Sequence, residues 1–141
     1  MSVKDNNAIS VKQVMLSIEK TPIVRSKAIL KEALDIMDEF KLGVVTVVDD
    51  DNILIGVLTD GDIRRTLLRV QKPMASFLID DISKHCVLNP VYINSSQKLT
   101  TAVSLMGDKQ IWDLPVVSEK KELIGLLHLH QAIKVLINKG T

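Results

Sequence analysis

Residues 44–68 read VVTVVDDDNILIGVLTDGDIRRTLL, and residues 113–137 read DLPVVSEKKELIGLLHLHQAIKVLI. Set 69 positions apart, Val47, Val48, Leu54, Ile55, Gly56, Leu58 and Leu67 fall on Val116, Val117, Leu123, Ile124, Gly125, Leu127 and Leu136. The register extends upstream, where Leu30, Ala33 and Met37 meet Leu99, Ala102 and Met106. Further back the separation becomes 68, with Val11, Val14 and Pro22 on Ile79, Ile82 and Pro90. Matches that keep one register through several pattern types mark an internal duplication.

Each copy carries the same succession of signals. Leu30, Ala33, Leu34 and Met37 have the spacing of a one-sided helix, with Lys31, Glu32 and Asp38 on the other side. Gly43 is expected to break that helix before the β-branched run 44–48, which suits a buried strand. Asp49, Asp50, Asp51 and Asn52 supply turn chemistry, and 53–58 returns as a second strand. Thr59-Asp60-Gly61-Asp62 then precedes Ile63, Leu67, Leu68 and Val70 at helical spacing. The second copy predicts a helix from Leu99, a strand over 114–117, a turn near Glu119 to Lys121, a strand over 123–127 and a helix from about Gln131. The order is β-α-β-β-α in each. Such a unit has too little core to stand well alone, so the expected α/β fold is two repeats packed through their sheets with pseudo-two-fold symmetry. Residues 1–70 form the first repeat with a lead-in, 71–78 a linker in which Pro73 ends the preceding helix, and 79–141 the second.

Composition narrows the function. The chain of 141 residues carries 18 basic and 17 acidic side chains, a net charge of +1, so no strong field draws in nucleic acid or anionic lipid. Aromatics are 3% of residues, which argues against a base-stacking platform. No apolar run approaches the roughly 20 residues that cross a bilayer. A lone cysteine, Cys86, and an N-terminus without the features of a signal peptide predict a reducing, cytoplasmic setting. Residues 137–141 read as a natural chain end.

The repeat, the Pro22 and Pro90 loops, and the segments GVLTDGDIRR (56–65) and GLLHLHQAIK (125–134) together resemble a tandem pair of CBS domains, the cystathionine-β-synthase-type regulatory repeat or Bateman module. Within that family, TDGDIRR and GLLHLHQ are similar to the regulatory region of bacterial D-arabinose-5-phosphate isomerases of the sugar-isomerase type. A further similarity, through TDGDIRR, is to CBS pairs fused to sugar-nucleotide transferases. The resemblance implies a non-catalytic sensor that binds AMP, ADP, ATP or a CMP-linked sugar and modulates an isomerase domain absent from this chain, with modules pairing as homodimers. A dimerisation module without ligand and a small enzyme using Thr59, Asp62 and the histidines are the competing readings.

Thr59 and Asp62 place a hydroxyl and a carboxylate where a strand meets a helix, a pair suited to the hydroxyls of a ribose. In isolation Thr-x-x-Asp reads first as a capping box, in which Thr59 caps a helix and Asp62 reaches back to the backbone, and it is the tandem repeat around it that favours the ligand. The resemblance implies that this position holds the ribose of an adenosine ligand. The helix start near Asp60 offers free N–H groups, Gly61 permits close approach, and Arg64 and Arg65 stand one turn on to meet phosphates. The base is expected against Thr21, Pro22, Ile23 and Val24, and against Gly43, Val44 and Val45.

In the second copy His128, Leu129, His130 and Gln131 replace Thr59, Asp60, Gly61 and Asp62. Without the ribose carboxylate this half should bind a nucleoside less well. Trp112 and Asp113 stand where the family lines the second pocket, with Val91 beside them, Trp112 reading as core or dimer interface. His128 and His130, read as alternating along a strand end, would point the same way, but two imidazoles lacking an assured third ligand such as His85 or Cys86 do not make a metal site. Asp49 to Asp51 read as a solvated turn, not a calcium loop. Cys86 reads as a buried small hydrophobe and the methionines as core filling.

Overall fold

All five residues of the run 44–48 are buried, as a β-branched stretch without polar alternation requires. The fold is described over residues 9–139 of a computed structural model, so the start of the lead-in and the Gly140–Thr141 ending lie outside the described residues. In chain order the elements are β1 (Leu16–Ser17), β2 (Ile23–Arg25), α1 (Leu30–Phe40), β3 (Val44–Val48), β4 (Leu54–Thr59), α2 (Asp60–Arg69) and α3 (Met74–Leu78). There follow β5 (Val87–Leu88), β6 (Ile93–Asn94), α4 (Leu99–Lys109), β7 (Asp113–Val117), β8 (Leu123–His128) and α5 (Leu129–Lys139). The α/β class holds, with two four-stranded sheets ordered β2-β3-β4-β5 and β1-β8-β7-β6.

The compact units divide the chain differently from the repeats. One unit is Thr21–Pro90, and the other joins the lead-in before Thr21 to everything after Pro90. Each repeat's lead-in therefore completes the other repeat's sheet: β1 pairs antiparallel with β8, and β5 with β4. In each unit the lead-in also satisfies a helix start, since no side chain caps α1 or α4. Leu30 N donates to Asp80 O at 2.9 Å, and Leu99 N to Ile9 O at 2.8 Å. Just beyond, Val11 and Ile82 open matching 3-10 turns and are 0% exposed. They stand 71 positions apart, so the register of 68 expected for the lead-ins is corrected. The 3-10 turn Ile18–Lys20 inserts three residues before Pro22 that have no counterpart before Pro90.

The stretch 71–78 is more than a connection. Helix α2 ends at Arg69, and Pro73 caps the start of α3, where a proline costs no hydrogen bond. Phe77 on α3 is 2% exposed and belongs to the aliphatic core of the first unit, with Leu30, Ala33, Met37, Val45, Val47, Leu58 and Ile82. Lys72 and His85 both reach the Asp80 carboxylate, which their hydrogen bonds, that of Lys72 first, hold down at about 2. The core of the second unit is built alike from Val11, Leu99, Ala102, Met106, Leu114, Val116 and Leu127.

The turns follow the sequence closely. Asp49 Oδ1 accepts from the backbone N–H groups of Asp51 and Ile53, each at 2.9 Å, and Asn52 takes the left-handed conformation at φ 65°. Ser118 Oγ repeats the device toward Lys120 and Glu122. The glycines act through space. Helix α1 is closed by Lys41 at φ 55°, two residues before Gly43, and no described glycine has a positive φ. The shared Gly56 and Gly125 sit where the lead-in strands press in: a Cβ would lie 2.9 Å from Cys86 Sγ at Gly56, and 2.4 Å from Leu16 O at Gly125.

Candidate functional site

The end of β4 and the start of α2 bring the first candidate residues together. In the antiparallel β3–β4 register Val44 faces Thr59, and Asp60 N donates to Gly43 O at 3.0 Å. The Asp60 carboxylate lies over Gly43, where a Cβ would sit 2.7 Å from Oδ2, so this position needs glycine for room. Thr59 has extended backbone and caps α2. Its Oγ1 accepts from Asp62 N at 3.2 Å, while Asp62 Oδ2 accepts from Thr59 N at 3.0 Å and Thr59 Oγ1 at 2.9 Å. That is a reciprocal capping box. The capping geometry and the proposed ribose geometry therefore use the same two side chains.

Arg65 completes the cluster: its Nη2 donates to Asp62 Oδ1 at 2.9 Å. The guanidinium lies over Gly61, both terminal nitrogens 3.1 Å from where a Cβ would be. The Asp62 side chain is 18% exposed and that of Arg65 58%. Arg64 is exposed on the same helix. Val44 and Val45 are buried, Val45 in the core of the unit.

The Pro22 loop meets β3 one pair further along. Thr46 donates to Pro22 O from both its N–H, at 2.9 Å, and its Oγ1, at 2.7 Å, and Ile23 pairs with Thr46. Thr21 and Pro22 are buried. Ile23 and Val24 line a groove of about 610 Å³ with Arg25, Lys27, Glu32 and Ile36. Its lining runs on to Arg25, which pairs with Val48, at the opposite end of β3 from Val44 and its partner Thr59.

The second repeat reproduces the backbone and changes the chemistry. Leu129 N donates to Trp112 O at 2.8 Å, as Asp60 does to Gly43. In the position of the Val44–Thr59 pair, Asp113 faces His128, with Asp113 Oδ1 and His128 Nδ1 hydrogen-bonded at 2.7 Å. Burial pushes the Asp113 carboxyl up, against the opposing pull of the His128 hydrogen bond. The sequence named both residues without pairing them, although the shift of 69 places them opposite each other. His130 does not share a strand with His128: β8 ends at His128, and His130 is exposed in the first turn of α5, because it occupies the helical position of Gly61. Gln131 is exposed there too, and Trp112 is 69% exposed, which corrects its reading as core. Val91 packs on the core of its unit.

Elsewhere, His85 pairs with Asp80 at 2.8 Å and lies against Phe77. Cys86 is half-buried against Gly56, and burial pushes its thiol up, away from the reactive thiolate. Among the described residues no three His, Cys, Asp or Glu side chains are grouped to hold a metal ion, and no helix is long and apolar enough to cross a membrane.

Comparison with known proteins places this geometry. The family model of the CBS domain matches twice, over residues 11–69 and 79–138. An uncharacterised protein of Rickettsia prowazekii is 31% identical over 130 residues, covering 92% of this chain and 38% of its own. The arabinose 5-phosphate isomerase of Francisella tularensis is 30% identical over 129 residues, covering 90% and 37%. The chain thus spans less than two fifths of the length of these curated relatives. Among solved structures, the CBS-pair protein CBSX2 from Arabidopsis thaliana, in complex with AMP, matches with a TM-score of 0.82 at 22% identity, over 95% of this chain and 100% of that one. A CBS domain-containing protein from Bacillus anthracis gives 0.84 at 20% identity, over 99% and 100%. At these identities the two structures establish the fold, and the paired family matches establish that the chain belongs to the CBS domain family as a tandem pair.

Proposed function

We propose that this CBS pair is a non-catalytic sensor that binds an adenine nucleotide, or a related nucleotide sugar, at the Thr59–Asp62 end of the first repeat. The observation that carries the reading is the half-buried hydroxyl and carboxylate, 2.9 Å apart, at the junction of β4 and α2. A carboxylate at the head of a helix suits two ribose hydroxyls, and CBSX2 has been solved with AMP on the same fold. The similarity to the Francisella isomerase supports a sugar-phosphate isomerase as the regulated partner, in a cytoplasmic protein that pairs through its CBS modules. Regulation follows from linkage: a ligand shifts an attached domain only by binding one arrangement of the pair better than another, with couplings of about 1–3 kcal/mol.

One observation favours a second reading. Thr59 and Asp62 already satisfy each other as a capping box, so a dimerisation module without ligand requires nothing more of them. Calorimetric titration with AMP, ADP, ATP and a CMP-linked sugar separates the two. The sensor reading expects saturable binding that Asp62→Ala weakens about 10- to 100-fold, the worth of one or two charge-assisted hydrogen bonds. No binding below millimolar concentration favours the dimerisation module.

A further inference from the structure

We infer that Arg65 is a latch on the first-repeat site, one that makes it select phosphorylated over unphosphorylated nucleosides; the inference rests on the nucleotide reading above. Among the described residues, the Asp62 carboxylate takes three hydrogen bonds, two from Thr59 and one from Arg65. Oδ2 is held by Thr59 through its N–H and hydroxyl, and Oδ1 by the Arg65 guanidinium. The same guanidinium covers Gly61, the residue whose missing side chain would otherwise leave the start of α2 open to an anion. Arg65 thus occupies both approaches at once: the carboxylate that a ribose needs, and the helix start that a phosphate needs.

These bonds are not equally easy to give up. The one from the Thr59 N–H is half of the capping box that starts α2, and breaking it loosens the helix start. The Arg65 bond comes from an exposed side chain three residues along the helix, a class of ion pair that solvent screens and that contributes little to folding. A ribose hydroxyl reaching the carboxylate therefore displaces Arg65. An unphosphorylated nucleoside leaves the displaced guanidinium without an anion, whereas a nucleotide phosphate offers it a bidentate partner in exchange. Ribose and phosphate recognition are coupled through one side chain. The second repeat lacks the device, because Lys134 and the neutral Gln131 stand in place of Arg65 and Asp62.

The test is titration of the full chain, and of Arg65→Ala and Arg65→Lys, with adenosine and with AMP. Alanine at this exposed helical position keeps the fold, being the best helix former. Loss of the latch should tighten adenosine about two- to fivefold, the range of an exposed ion pair. It should weaken AMP about tenfold or more, the worth of a charged hydrogen bond. Arg65→Lys, which keeps the charge without the fork, should fall between the parent and Arg65→Ala. If Arg65→Ala changes adenosine and AMP by the same factor, the latch is wrong while the site stands. If neither ligand binds parent or variants, the nucleotide reading fails and the latch falls with it.

Discussion

The strand–helix junctions of the two repeats share a backbone and differ in nearly every side chain. Both close with the same bond, Asp60 N to Gly43 O in one and Leu129 N to Trp112 O in the other. Around that bond the first repeat sets Gly43, Val44, Thr59, Asp60 and Asp62, and the second sets Trp112, Asp113, His128, Leu129 and Gln131. In the first, the polar groups gather at the head of α2 and leave the β3–β4 pair apolar on the β3 side. In the second, a carboxylate and an imidazole pair across β7 and β8, and the head of α5 carries no carboxylate. Duplication preserved the backbone hydrogen bond at each junction, and the side chains around it diverged.

The sharpest break of that comparison lies in the scaffold. Both shared glycines admit a lead-in strand, but the room differs. An added methyl at Gly125 meets Leu16 O at 2.4 Å and Met15 Sδ at 2.8 Å, while at Gly56 it meets Cys86 Sγ at 2.9 Å and Val87 O only at 3.1 Å. Gly125→Ala should therefore destabilise the protein by about 3 kcal/mol, the upper end of overpacking costs, and Gly56→Ala by about half that. Urea unfolding of the two variants compares them directly, and equal losses would mean that the strands yield alike.

The next contrast sets His128→Ala against Thr59→Ala. Removing His128 leaves Asp113 buried without its partner, at about 1–3 kcal/mol, whereas removing the Thr59 cap should cost about 1 kcal/mol. The two differ in pH dependence as well. Because the folded chain holds the Asp113 proton more tightly than the unfolded chain does, the contribution of this group to stability is complete below its ordinary value of 3.8 and declines as pH rises through the raised value. Without His128 to oppose the rise, the decline should move to higher pH, so the penalty of His128→Ala grows with pH across that window. Unfolding midpoints measured from pH 4 upward should show that growth for His128→Ala and not for Thr59→Ala. The smallest expected effect is Gly61→Ala. Its methyl meets only the end of the Arg65 side chain, so the gain in helix propensity should stabilise the protein by up to about 1 kcal/mol in a thermal melt.

Much of this was legible in the sequence, for identifiable reasons. The long elements announced themselves through period and β-branching, and the shift of 69 carried every strand of both hairpins into register. The exchanged lead-ins were not legible, because β1 and β5 are two residues long and carry no period, and the Ile18–Lys20 insertion broke the apparent alignment. At the site, Thr59 and Asp62 were found by type and spacing, but not that Arg65 would fold back onto them, since reach along a helix is a matter of rotamers. The alternation argument for His130 failed against information already in the sequence: the duplication had placed it on Gly61, inside a helix. The exposure of Trp112 was hidden for the opposite reason, a large apolar side chain reading as core wherever it stands.

The most direct test counts sites. Calorimetry with AMP on the parent chain, Asp62→Ala and Gln131→Ala should give one AMP per chain, a strong loss for Asp62→Ala and little change for Gln131→Ala. Two equivalent AMP per chain, or equal losses in both variants, would contradict the claim that one junction kept its ligand chemistry while its twin gave it up.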